Sequence, residues 1–83
     1  MKQHIEIVKK WLANPESVSQ EELEANYNSA QEAWGGFYST AQRKAMGIGH
    51  RLYDVRVANA SYMALKNNTQ WADYWLNQIE AGL

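Results

Sequence analysis

The stretch AQEAWGGFYSTAQRKAMGIG, Ala30–Gly49, decides the fold through its two glycine groups, Gly35-Gly36 and Gly47-Ile48-Gly49. Leu23, Tyr27, Ala30, Trp34, Phe37 and Ala41 are spaced 4, 3, 4, 3, 4, a heptad-like seam whose register passes straight through the first pair. Two adjacent glycines inside a helix cost about 1 kcal/mol each relative to alanine, so they require a break or a packing reason. The persistent period favours a continuous or kinked helix, with the glycines as a notch that a neighbour fills. A loop at Gly35-Gly36 is the alternative.

A second seam follows at Ala45, Ile48, Leu52, Val55, Asn59 and Tyr62, widened by Ala58, Met63 and Leu65. One straight helix from Gln20 to Lys66 would run roughly 70 Å at 1.5 Å per residue, too long for a small domain. A reversal is therefore required, and Gly47-Ile48-Gly49 is the better place for it. Outward from there, Ile5, Val8, Trp11 and Leu12 form the apolar side of a helix over Lys2–Ala13, which Pro15 ends. Ser19 and Glu22 fit a capping box for the second helix. Asn67-Asn68-Thr69 supplies a stop and a new N-cap, and a last helix over about Gln70–Glu80 turns Trp71, Trp75, Leu76 and Ile79 inward. No stretch alternates with period two. The expected fold is all-α: a single domain over residues 1–83, a bundle of about four helices whose two long central helices form an antiparallel hairpin.

With 83 residues the chain gains little from burial alone. Four tryptophans and five tyrosines compensate, since a large aromatic buries roughly 150–250 Å². The rings are expected to supply much of the core, among them the stripe Tyr27, Trp34, Phe37, Tyr38 and Tyr62. The heptad-like seam also makes a homodimer a reasonable expectation.

A net charge of −1 argues against a chain devoted to gripping nucleic acid. The absence of cysteine removes disulfides, thiol nucleophiles and thiolate-held zinc. No signal-peptide pattern or membrane-length apolar run is present, and a cytoplasmic location is expected. His4 and His50 lie far apart in no metal-binding pattern, and Ser39, Thr40 and Ser61 sit in no nucleophile motif. Neither a metal nor a cofactor is expected, and nothing points to an enzyme.

Charge is segregated instead. Glu16, Glu21, Glu22, Glu24 and Glu32 stand without a cation in residues 16–32, whereas Arg43, Lys44, Arg51 and Arg56 face only Asp54 in residues 43–56. The two blocks can pair across adjacent helices and fix their orientation. Alternatively, the cluster Arg43, Lys44, His50, Arg51, Tyr53, Asp54 and Arg56 is a contact surface for a partner.

The runs IEIVKKWLANP (residues 5–15), SVSQEELEA (17–25), YNSAQEAWGGFYSTAQRKA (27–45) and RVANASYMAL (56–65) resemble the alanine-rich helical immunity protein family of bacteria and phages. There a short helix ending in a WL-x-x-P-like stretch leads into EEL and a long Ala, Tyr and Asp repeat. This chain has fewer alanines, its own glycine groups and an aromatic C-terminal helix. The resemblance implies a non-enzymatic protein that binds and neutralises another, a toxin or a host defence component, and brings no catalytic residues. A nucleotide or nucleic-acid binder, with Tyr38 or Tyr53 stacking beside the basic residues, is the other class the cluster allows.

Overall fold

The computed structural model describes residues 2–48 and 52–82, and all regular structure among them is helical. The elements are α1 (Lys2–Ala13), a 3-10 turn (Pro15–Ser17), α2 (Gln20–Trp34), α3 (Thr40–Met46), α4 (Leu52–Leu65) and α5 (Thr69–Ala81). Local chemistry sets most of their ends. Asn14, held extended before Pro15, accepts from the Glu16 amide at 3.3 Å. Ser19 Oγ accepts from the Glu22 amide at 3.1 Å, and Val18 and Leu23, flanking that cap, are both buried in the main core, the arrangement of a hydrophobic staple. Asn68 caps α5 by accepting from the Trp71 amide at 3.1 Å.

The expected continuous helix through Gly35-Gly36 is not formed. Gly35 adopts φ +83°, its amide donates to Glu32 O at 3.0 Å, and the Gly36 amide donates to Gln31 O at 2.9 Å. These are the paired bonds of a Schellman stop, which close the last carbonyls of α2 around one left-handed residue. Gly47, at φ +71°, ends α3 in the same way, with Gly47 N–H donating to Lys44 O and Ile48 N–H to Arg43 O. Asn67 does so for α4 at φ +60°. The seam therefore ends with Trp34, and the fourth α-helix becomes a fifth because Ser39 restarts the chain. Ser39 Oγ accepts from the Gln42 amide at 3.2 Å while the Ser39 amide donates to Gln42 Oε1 at 2.8 Å, a complete capping box. Phe37 and Ala41, read as the seam's continuation, are exposed.

The core gathers on α4, which packs against α1, α2 and α5, whereas the backbone of α3 approaches no other helix and α3 meets α2 through the Arg43 side chain on Trp34. From α4, Val57, Ala58, Ala60, Ser61 and Ala64 are buried, and Ala30 of α2 and Ala72 of α5 are closed off completely. Side chains this small bring helix axes close and gain dispersion contacts along the backbone. The seam expected on α4 is displaced accordingly: Leu52 is exposed, and Val55, Asn59 and Tyr62 line a groove toward α2. Contacts between α2 and α4 run in reverse order, from Gln20 Nε2 donating to Leu65 O at 3.1 Å, through the Tyr27 and Tyr62 rings at 5.3 Å, to Trp34 and Val55 in the groove. The two helices are separated in the chain by α3 rather than joined by one turn.

The aromatic core is also corrected. Trp11 is the large ring that is fully buried, while Phe37, Tyr38, Tyr62, Trp71 and Tyr74 are exposed. On α5 the inward line is Ala72, Leu76 and Ile79, one residue out of phase with Trp71. A polar knot ties three helices at the centre: the carboxamide of Asn26 donates to His4 O and to Ser61 Oγ, both at 3.3 Å. His4 Nε2 lies 2.9 Å from Ser29 Oγ.

The two glycine stops differ in their surroundings. A Cβ on Gly35 would sit 2.9 Å from Ile48 Cδ1 and 3.3 Å from the Arg43 stem, whereas one on Gly47 would meet nothing within 4 Å. Both substitutions incur the left-handed cost of about 1–2 kcal/mol, and only the first adds crowding of about 1–3 kcal/mol. Gly35→Ala is expected to lower unfolding free energy in urea by clearly more than Gly47→Ala. Equal losses would mean that Ile48 and Arg43 give way freely.

Candidate functional site

Among the described residues, the members of the basic cluster turn to different neighbours. Arg43 turns back onto the end of α2: Nη1 donates to Tyr38 O at 2.7 Å and Gly35 O at 3.4 Å, and Nη2 donates to Thr40 Oγ1 at 3.2 Å. Its guanidinium carbon stands 4.7 Å from the centroid of the Trp34 ring. A planar fork with five donors suits such a cluster of oxygens, and its charge sits at the negative end of the α2 dipole. Arg56 is committed elsewhere, donating from Nη1 to Gln78 O of α5 at 2.9 Å. Tyr53, half-buried, joins the apolar floor between α1 and α5. Asp54 is half-buried in the first turn of α4, and Lys44 is exposed on α3. His50 and Arg51 lie outside the described residues.

The two charge blocks do not pair among the described residues. Glu16, Glu21, Glu22, Glu24 and Glu32 are all exposed. The ion pair present joins Lys9 of α1 to Glu80 of α5 at 3.6 Å, with both side chains largely in water, where such a pair contributes under about 1 kcal/mol. Orientation of the helices therefore comes from packing and from interhelical hydrogen bonds, the Asn26 knot and the Arg56 bond to Gln78 O among them.

Two concave features stand out among the described residues. One, of about 220 Å³, lies between Tyr27, Gln31 and Trp34 of α2 and Val55, Asn59 and Tyr62 of α4. The other, of about 260 Å³, has Ile5, Tyr53, Leu76 and Ile79 below Lys9 and Glu80. Trp34, which lines the first, has a buried Nε1 with no acceptor among the described residues, which costs about 1–3 kcal/mol. The Cε3 edge of the same ring packs at Gly36 beside the Gln31 carboxamide. On an indole, the N–H lies on the opposite edge, away from that loop.

Large apolar groups are also unevenly exposed. Phe37 (68%) and Tyr38 (43%) precede α3, Met46 (52%) ends it and Leu52 (60%) opens α4, while Trp71 and Tyr74 mark α5 with ring centroids 5.0 Å apart. The first set lies where a helical seam was expected, and the signal that would have relocated it is Ser39-x-x-Gln42, a helix start inside the supposed helix. Among the described residues no group of three or more His, Cys, Asp or Glu could hold a metal ion, and no helix is long and apolar enough to cross a membrane.

A seven-residue helix that packs on no other is below the length that is stable alone, so α3 depends on its caps and on Arg43. Arg43→Ala is expected to raise amide exchange across residues 35–48 at least about tenfold and to leave the urea midpoint of the bundle nearly unchanged. Unaltered exchange would show that the caps suffice.

Comparison with models of known families, with curated proteins and with solved structures gives no match to this chain.

Proposed function

We propose that this is a non-enzymatic protein-binding chain of the immunity or inhibitor type, of bacterial or phage origin, acting in the cytoplasm, and that the arm around α3 is its contact element. The observation that carries the reading is the exposure of Phe37, Tyr38 and Met46 in and just before α3, the helix whose backbone approaches no other, together with that of Leu52 at the start of α4. Exposed large apolar groups cost solubility, and contiguous patches of them mark sites where another surface is covered. A short, capped helix with the polar rim of Lys44 and Gln42 offers side chains at little further ordering cost.

The exposed carboxylates of α2, which find no cation among the described residues, suit a partner with a basic surface beside its apolar receptor. The kind of partner, a toxin or a host defence component, follows from the resemblance of residues 5–65 to the alanine-rich immunity family. Arg43 and Arg56 support the nucleic-acid reading poorly, because their guanidinium groups are spent on backbone carbonyls. A second copy of the chain is the other occupant the arm allows.

The test replaces Phe37, Met46 and Leu52 together by serine, with Trp71→Ser/Tyr74→Ser as a control on α5. Hot-spot truncation commonly costs 2 kcal/mol or more, so affinity for a protein retained from a bacterial host lysate is expected to fall at least about thirtyfold in the triple variant and to hold in the control. The thermal melt followed by circular dichroism should be unchanged. Equal retention by the triple variant would remove the assignment, and a mass in sedimentation that rises with concentration and returns to one chain in the triple variant would identify the partner as a second copy.

A further inference from the structure

We infer that the groove between α2 and α4 is a binding site for a small, uncharged, planar heteroaromatic base whose edge carries both a hydrogen-bond acceptor and a donor. The groove is independent of the arm's apolar residues and has its own chemistry. Its walls are rings: Tyr27 and Tyr62, tilted at 54° with centroids 5.3 Å apart, and Trp34. Its polar groups are few and neutral. The carboxamides of Gln31 and Asn59 make no side-chain hydrogen bond among the described residues, and Trp34 Nε1 is buried without an acceptor.

Ring walls with a few convergent polar groups are the usual composition of a small-molecule site. The groups also specify the ligand. A carboxamide offers a donor and an acceptor side by side, which pairs with a lactam or amidine edge, and the indole N–H, once turned into the groove, donates to an acceptor and to nothing else. No Lys, Arg, Asp or Glu lines the groove, so a charged ligand would lose hydration with nothing to replace it. The groove's volume, about 220 Å³, falls below the roughly 300–1,000 Å³ of drug-sized sites. A bare base or a single-ring carboxamide fits that space, and a nucleotide with its phosphates does not.

Nε1 of Trp34 is closed off from solvent. Engagement therefore requires the Trp34 side chain to turn, against the hold of Arg43 on its face, and the Trp34 indole signal reports binding directly. The experiment titrates ¹⁵N-labelled protein with adenine, uracil and nicotinamide, and in parallel with benzoate and toluene, following the indole N–H signals of the four tryptophans. Trp34→Phe identifies the relevant signal. At least one of the three bases is expected to move the Trp34 N–H signal downfield with saturation below a few millimolar, leaving Trp11 and Trp71 unmoved, and to bind at least tenfold more weakly to Asn59→Ala. Alanine at this half-buried α4 position is a good helix former, so the variant keeps the fold. Trp34→Phe keeps a ring beneath Arg43 and is expected to weaken the base by a similar factor. Absence of any Trp34 shift overturns the site. Equal binding of toluene, or unchanged affinity in both variants, would make the groove merely apolar and overturns it as well.

Discussion

A helix that touches three others must be small on every side, and α4 meets that demand with Ala58, Ala60, Ser61 and Ala64. Leucines at these places would push α1, α2 and α5 outward and open voids that a chain of 83 residues has too few large aliphatics to fill. With alanine and serine the backbones approach, and much of the packing comes from main-chain atoms and Cβ groups. The consequence reaches the surface: with little space inside, most of the rings lie at the rim, half-buried or exposed, and Trp11 alone is the fully enclosed large one. Peripheral aromatics are thus a result of how the core closes, and they give this small chain its grooves and patches.

Close packing of small residues specifies register weakly, because one alanine fits much like another. The Asn26 knot supplies what the alanines lack. Its carboxamide satisfies His4 O of α1 and Ser61 Oγ of α4 from α2, and a shift of one turn on any of the three would leave a buried donor or acceptor unpaired. Lys9 and Glu80, in water, exert no comparable hold.

This division explains what could be read in the sequence. The ends of α1 and α5 and the start of α2 were legible, because Pro15, Ser19 and Asn68 act on backbone groups within a few residues. The stop at Gly35 was not, since the 4, 3 spacing of large residues outweighed two glycines, although Ser39 and Gln42 announced a new start. The inward face of α4 was obscure for a different reason: alanine and serine carry almost no hydropathy signal, while Leu52 and Tyr62, which carry a strong one, point away from the core. Arg43 and Arg56 were expected to pair with the acidic block or to meet a partner, whereas their acceptors are backbone carbonyls of Tyr38, Gly35 and Gln78. Any sequence offers such oxygens, so only the fold decides which cation reaches one. The groove was legible as a stripe of rings and not as a concavity, which depends on how far α2 and α4 stand apart beside Ala58.

Trp34 belongs to both candidate surfaces. Its ring lines the groove, one edge abuts Gly36 at the root of the arm, and Arg43 of α3 lies over its face. The backbone of α3 approaches no other helix, so its orientation rests on the Arg43 contact with this indole of α2 and on the Schellman bonds at Gly35. A ligand that turns the indole to pair its N–H alters the support beneath Arg43, and a partner that draws Arg43 away alters the wall of the groove. Any free energy that links the two events acts equally in both directions. A base in the groove and a protein on the arm would then each change the other's affinity by the same factor, with Arg43 as the contact through which the change passes.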